Sequence, residues 1–211
     1  MSGKRGTASL SQLGRVAAGM IALIGFGAIA LRFGLLFART GSASGAIWSM
    51  LRFYTIIGNA LAALVFAAIA LGSRRAFSPL ITGGVTLNMA LIGIVYAILL
   101  RGLLHLEGLS LVADSLMHDV QPLLIALFWL VFARKGALRW RDPWLWAVPP
   151  CLYFLYAMLR GQAEGSYPYF FINVATLGWP QTLLNAAAIC LAFVAAGWLL
   201  VWLGHRIAKA G

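Results

Sequence analysis

Runs of about 20 predominantly apolar residues follow one another along this chain, and they constrain its fold more than any other feature. Wound as an α-helix, such a run spans a hydrocarbon core about 30 Å thick. Hydrophobic residues make up 62% of the 211 residues and charged residues 10%, which excludes an ordinary soluble domain. Strands of a membrane barrel would alternate apolar and polar residues, and these runs do not. The sequence therefore predicts an all-α, polytopic membrane protein.

The apolar runs predict six transmembrane helices in a single domain, residues 1–211. The predicted spans are residues 14–38, 47–71, 79–101, 112–132, 144–160 and 180–203. Residues 1–31 also have the basic start and apolar run of a signal peptide, but the run is too long and lacks a clear cleavage site. We therefore expect the first helix to be retained. Cys151 and Cys190 lie inside predicted spans, and we interpret them as reduced packing residues.

Basic residues between the spans predict the orientation. The net charge is +11, and most of the 16 basic residues fall at one end of the predicted bundle, which indicates topology rather than nucleic-acid binding. That end holds Lys4, Arg5, Arg15, Arg74, Arg75, Arg134, Lys135, Arg139, Arg141, Arg206 and Lys209, and the other holds Arg32, Arg39, Arg52, Arg101 and Arg160. Both termini are thus expected in the cytoplasm.

The outward-running helices end alike, in Leu-Arg sequences at Arg32, Arg101 and Arg160. Two interpretations stay open for these arginines. They reach the outer headgroups, or they pair with the acidic residues predicted on the same side. Those acidic residues are Glu107, Asp114, Asp119 and Glu164.

Polar residues recur at helical spacing on the second and fourth predicted helices. They are Arg52, Thr55 and Asn59 on the second, and Asp114, His118 and Pro122 on the fourth. At a rise of about 1.5 Å per residue, Thr55 lies about 12 Å and His118 about 9 Å below the outer end of its helix. Polar groups at such depth face a bundle interior or a wet cavity. The two faces are therefore expected to meet in a pocket in the outer half.

A threonine and a histidine in one pocket allow nucleophilic catalysis. A neutral histidine can take the hydroxyl proton as Thr55 attacks a carbonyl, and return it to the leaving group. Asp114 or Asp119 would orient the imidazole of His118, and Asn59 or Arg52 would stabilise an oxyanion. The competing interpretations are a threonine that bonds its own helix or joins two helices, and Pro122 as a simple kink. The sequence contains no metal-binding histidine pair or phosphate loop, so neither a metal nor a cofactor is expected.

Aromatic residues cluster before the last predicted helix, from Tyr167 to Phe171. They anchor the chain at the membrane interface, or else they form a lid over the pocket, in which case Tyr167 and Tyr169 would contact the substrate.

Several of these segments together resemble a known family. They are Phe53-Tyr54-Thr55 with Asn59, His118-Asp119-Val120-Gln121-Pro122, Leu138-Arg139-Trp140-Arg141-Asp142 and Tyr167-Pro168-Tyr169. Their order resembles the threonine and His-x-x-x-Pro motifs of the androgen-induced-gene and androgen-dependent TFPI-regulating protein family, and more closely its small bacterial relatives.

The resemblance implies a six-span hydrolase in a bacterial cytoplasmic membrane. Its substrates would be lipid esters such as fatty acid esters of hydroxy fatty acids, with Thr55 as nucleophile and His118 as base. An arginine among Arg32, Arg52, Arg101 and Arg160 would hold a substrate carboxylate. Two other classes remain open: a small proton- or cation-coupled transporter using His118, Asp114 and Asp119, and a non-catalytic membrane scaffold.

Overall fold

The computed structural model of the protein describes residues 10–103 and 105–210, and all regular structure in these ranges is helical. The α-helices are α1 (Gln12–Thr40), α2 (Ala43–Met50), α3 (Tyr54–Ala70), α4 (Pro79–Val95), α5 (Gly108–Ser115), α6 (Gln121–Phe132), α7 (Asp142–Trp146), α8 (Val148–Glu164) and α9 (Val174–Ala210). Two π-helical turns, Tyr96–Leu100 and Leu116–Val120, continue α4 and join α5 to α6. Lys4 and Arg5, used above for the orientation, lie outside the described residues.

Local sequence explains where three of the helices begin. The hydroxyls of Ser11, Ser42 and Ser78 each accept a backbone N–H in the first turn of α1, α2 and α4. Gly41 adopts a left-handed conformation after α1, with φ 64°, which closes that helix. These caps are readable from sequence.

The second predicted span, 47–71, is wrong as one continuous helix. α2 and α3 are bent by 95° around a break at residues 51–53. The Tyr153 hydroxyl donates to the Arg52 carbonyl oxygen at 2.7 Å, and the Tyr54 N–H donates to the Tyr169 hydroxyl at 3.0 Å. Side chains from distant elements thus satisfy backbone groups that the break leaves open.

The π-helical turn Leu116–Val120 has a local cause. Pro122 lacks an N–H and its ring would collide with the His118 carbonyl in a regular α-helix. The wider turn accommodates the ring, and the Gln121 N–H bonds the Leu116 carbonyl instead. Gly93 of α4 packs against this turn so closely that an added Cβ would lie 3.1 Å from the His118 carbonyl oxygen. His118 therefore lies on an irregular, tightly packed turn.

Four helices are long and apolar enough to cross a membrane: Gln12–Thr40, Pro79–Leu100, Gly108–Phe132 and Val174–Lys209. The bent pair α2–α3 makes a fifth if it counts as one span. α8 has 17 residues, somewhat fewer than the about 20 that a transmembrane helix needs. α9 has a kink at Gly178, with φ 73° and ψ 165°. The expectation of a helical protein with membrane-length apolar helices is confirmed, and the number six stays a prediction.

α1 packs along α3, and α4 packs along α6. The main core contains buried side chains from α1, α3, α4, α6 and α8, among them Ile21, Phe66, Met89, Phe128 and Met158. A second cluster joins α4, α6, α7 and α9. A third cluster joins Ala28 of α1, Met50 of α2, Ile56 of α3 and Ala113 of α5, and the candidate site lies beside it.

Candidate active site

Thr55 and His118 are in contact. The Thr55 Oγ1 lies 3.1 Å from the His118 Nε2, and Thr55 is 7% exposed. The sequence predicted this meeting but not its geometry. Thr55 is the second residue of α3 and lies just after the break between α2 and α3. The expected depth of about 12 Å assumed one straight helix from residue 47, so it does not apply. The hydroxyl sits in the first turn of a helix, where the Tyr54 N–H bonds the Tyr169 hydroxyl and the Ile56 N–H bonds the Phe53 carbonyl oxygen.

Asp114 orients the imidazole. The His118 Nδ1 lies 3.1 Å from the Asp114 Oδ1 and 3.0 Å from the Asp114 carbonyl oxygen. Both partners are acceptors, so Nδ1 carries the proton and Nε2 keeps its lone pair towards Thr55. This is the tautomer that a general base requires.

Tyr96 fixes the same imidazole from its face. The two rings stack with centroids 4.1 Å apart and planes 14° apart, and the Tyr96 hydroxyl bonds Asp114. Arg101 lies over the Tyr96 ring at 4.9 Å and pairs with Asp119. Of the two carboxylates proposed to orient His118, Asp114 therefore does so and Asp119 is engaged by Arg101. Sequence reasoning missed Tyr96. Its position five residues before Arg101, near the end of the same predicted span, was a signal that could have identified it.

Arg52 forms an ion pair with Glu164, which argues against a role for Arg52 as oxyanion donor. Its guanidinium donates to Glu164 at 2.7 Å and to Ser166 at 2.8 Å. Arg160 binds the same carboxylate at 2.9 Å and lies 4.0 Å from the Trp48 ring centroid. Two of the outer arginines are thus paired with Glu164, in agreement with the pairing alternative.

Asn59 contacts backbone carbonyl oxygens, so its role is structural. Fully buried, it donates through Nδ2 to the Thr55 carbonyl at 2.9 Å and to the Met117 carbonyl at 3.3 Å. It therefore ties α3 to the turn that carries His118, and it lines neither of the cavities described below.

Tyr169 closes the start of α3. Besides accepting the Tyr54 N–H, its hydroxyl lies beside the Thr55 hydroxyl, and burial raises the pKa of Tyr169 above its usual value. The hydroxyl consequently stays protonated and able to donate. Tyr167 behaves differently, because its ring packs onto α8 where an added Cβ on Gly161 would lie 2.3 Å from it.

Two cavities meet at Thr55, and among the described residues Thr55, Leu100 and Tyr169 are the ones that line both. The first, of about 440 Å³, holds the charged and titratable side chains of His118, Asp114 and Arg32 within a lining that is otherwise mostly apolar, and we call it the polar cavity. The second, of about 370 Å³, is the apolar cavity between α4, α8 and α9. Among the described residues, Arg32 is the one of the four candidate arginines without a carboxylate within 4.0 Å.

In the described ranges, no group of three histidine, cysteine or acidic side chains is arranged to hold a metal ion. Comparison with known proteins gives no match, whether with protein-family models, curated proteins or solved structures. The resemblance noted from the sequence therefore stays a prediction, and the chemistry is argued from this geometry.

Proposed function

We propose that the protein is an intramembrane hydrolase of lipid carboxylic esters, with Thr55 as nucleophile and His118 as general base. One observation carries the proposal: a threonine hydroxyl 3.1 Å from an imidazole nitrogen whose other nitrogen is held by a carboxylate. Nucleophile, base and orienting group in this order form the arrangement from which acyl-transfer catalysis is recognised.

In the first half-reaction, the Thr55 Oγ1 attacks the ester carbonyl carbon and its proton moves to the His118 Nε2. The tetrahedral intermediate then collapses, the carbon–oxygen bond to the alcohol breaks, and Nε2 protonates the departing oxygen. Water repeats the sequence on the Thr55 acyl ester: it gives its proton to Nε2, releases the fatty acid and restores the threonine hydroxyl. Asp114 stabilises the imidazolium in each half-reaction.

The oxyanion is expected at the start of α3. The positive end of the α3 helix dipole lies there and favours negative charge. The Tyr169 hydroxyl, polarised by the N–H that it accepts from Tyr54, lies beside the Thr55 hydroxyl and is the proposed side-chain donor. We assign it in place of Asn59, whose amide donates to two carbonyl oxygens, and of Arg52, whose two terminal nitrogens donate to Glu164 and Ser166.

Arg32 is the proposed contact for a substrate carboxylate. It lines the polar cavity with Thr55 and His118, and its guanidinium suits bidentate binding of a carboxylate. The proposed substrates are therefore fatty acyl esters whose alcohol part carries an acid group, which includes fatty acid esters of hydroxy fatty acids.

The six-span topology is part of the proposal, with α2–α3 as one bent span and α7–α8 as another. Contacts of basic segments support one shared end: Arg15 donates to the Ala70 carbonyl at 2.9 Å, and His205 contacts the Leu138 carbonyl at 2.8 Å. Most basic residues lie at this end, so we place it, with both termini, in the cytoplasm.

The test is covalent labelling and ester hydrolysis by the purified protein. A fluorophosphonate is expected to label the wild type, and Thr55→Ala is expected to lose both labelling and hydrolysis of a fluorogenic ester. Thr86→Ala is the matched control, because Thr86 of α4 is equally buried, at 7% exposure, and lines neither cavity. Labelling and hydrolysis that persist in Thr55→Ala at the level of Thr86→Ala would refute the proposal.

A further inference from the structure

The apolar cavity has a composition suited to hydrocarbon. Its lining includes Leu91, Ile92, Val95 and Phe193, together with Phe154 of α8. No described Asp, Glu, Lys, Arg or His side chain lines it. Hydrocarbon is the ligand chemistry that such a surface can take without leaving a charge unsolvated.

The cavity also opens at the side of the bundle. α8 and α9 make few contacts with each other, and Cys151 and Ala187 on either side of the opening are exposed. Leu183 on the same flank is 51% exposed. This surface belongs to membrane-length apolar α9, so a hydrocarbon chain can enter it from lipid without crossing water.

The position of His118 decides which part of an ester lies where. The leaving alcohol receives its proton from the His118 Nε2, and His118 lines the polar cavity but not the apolar one. The alcohol part must therefore leave on the polar side. The acyl group, which stays bonded to Thr55, is directed to the other side of the hydroxyl, where the apolar cavity begins.

We infer that the apolar cavity between α4, α8 and α9 is the acyl-chain site of the enzyme, and that it binds the long hydrocarbon chain of the acyl-threonine intermediate. The inference rests on the proposed function, and it adds which half of the substrate each cavity holds. A hydrocarbon chain gains little on moving from lipid to an apolar cavity, so the site acts by orienting the ester. Obstructing it should lower kcat for long chains more than it raises KM.

Cysteine protection tests occupancy without measuring turnover. Cys151 and Cys190, the chain's two cysteines, both line the apolar cavity. After reaction with a long-chain alkyl fluorophosphonate, Cys151 is expected to react with N-ethylmaleimide about tenfold more slowly, as for a thiol covered by a bound chain. A methyl fluorophosphonate should give no protection, and Thr55→Ala should show none with either reagent. Equal Cys151 reactivity after labelling with the long and short reagents would overturn the inference.

A pair of variants on α9 gives the second test. Ala186 lines the cavity, and Ala188, two residues on, is exposed and does not. Ala186→Phe is expected to lower kcat for a palmitoyl ester about tenfold more than kcat for an acetyl ester, while Ala188→Phe alters neither. Equal effects of Ala186→Phe on the two esters would overturn the acyl-site assignment. Acetyl-ester hydrolysis that does not depend on Thr55 would instead refute the proposed function, so the two failures are distinguishable.

Discussion

The His118 imidazole is bound twice by Asp114, because its Nδ1 lies 3.1 Å from the side-chain Oδ1 and 3.0 Å from the main-chain oxygen of that residue. The two contacts come from the turn before His118, so one short segment supplies both the base and the group that orients it. The imidazole thereby presents Nε2 to Thr55.

Replacing this carboxylate should lower the rate without unfolding the protein. In Asp114→Asn the imidazolium loses its negative partner, and we expect kcat for ester hydrolysis to fall by about 10²-fold. The control is Asp119→Asn, since Asp119 binds Arg101 rather than His118. Similar rates for the two variants would contradict the role given to Asp114.

The Tyr169 hydroxyl should contribute to catalysis through the oxyanion. Tyr169→Phe is expected to lower kcat by about 10²-fold with little change in KM, because one donor to the transition state is lost. Tyr153→Phe is the control, because the Tyr153 hydroxyl also bonds the backbone at the break before α3, where it donates to the Arg52 carbonyl oxygen. If both variants lost activity equally, Tyr169 would only support the backbone.

Asn59 should matter for stability as well as for activity. Asn59→Ala leaves the Met117 carbonyl without its bond from Nδ2, and we expect the free energy of unfolding to fall by about 1–3 kcal/mol. The measurement is thermal unfolding in detergent. Gln181→Ala removes an exposed amide and should change the stability by less than about 0.5 kcal/mol. A Tm of Asn59→Ala equal to that of the control would show that the bridge between α3 and the His118 turn is unimportant.

Arg32 should discriminate between charged and neutral esters. In Arg32→Gln we expect kcat/KM to fall by about 10- to 100-fold for an ester with a carboxylate on its alcohol part, and to stay unchanged for a neutral ester. Arg39→Gln, an exposed change on the same helix, should affect neither substrate. A uniform loss for both esters in Arg32→Gln would argue against carboxylate recognition.

Much of the local structure was readable from the sequence. Apolar runs predicted the long helices, and Pro122 predicted a kink in the fourth predicted span, where the π-helical turn lies. The sequence also placed a threonine and a histidine where they could meet. These features depend on composition and on contacts within a few residues, which is why they can be predicted without knowledge of the rest of the fold.

The geometry of the site needed the tertiary structure. No proline or glycine lies at residues 51–53, so the break that puts Thr55 at a helix N-terminus was not visible in the sequence. Its open backbone groups are satisfied by Tyr153 and Tyr169, roughly a hundred residues away along the chain. The sequence also left open whether Asp114 or Asp119 orients His118. The structure decides this, because Asp119 pairs with Arg101 and Asp114 contacts His118.

The sequence by itself thus determined a helical membrane protein with a threonine and a histidine among its apolar helices, because hydrophobicity and helical spacing act locally. Only the tertiary structure decided that Thr55 lies in the first turn of a helix, that Tyr96 and Asp114 hold His118, and that two cavities of different polarity meet at the hydroxyl. These relationships join residues from separate elements, and packing alone brings them together.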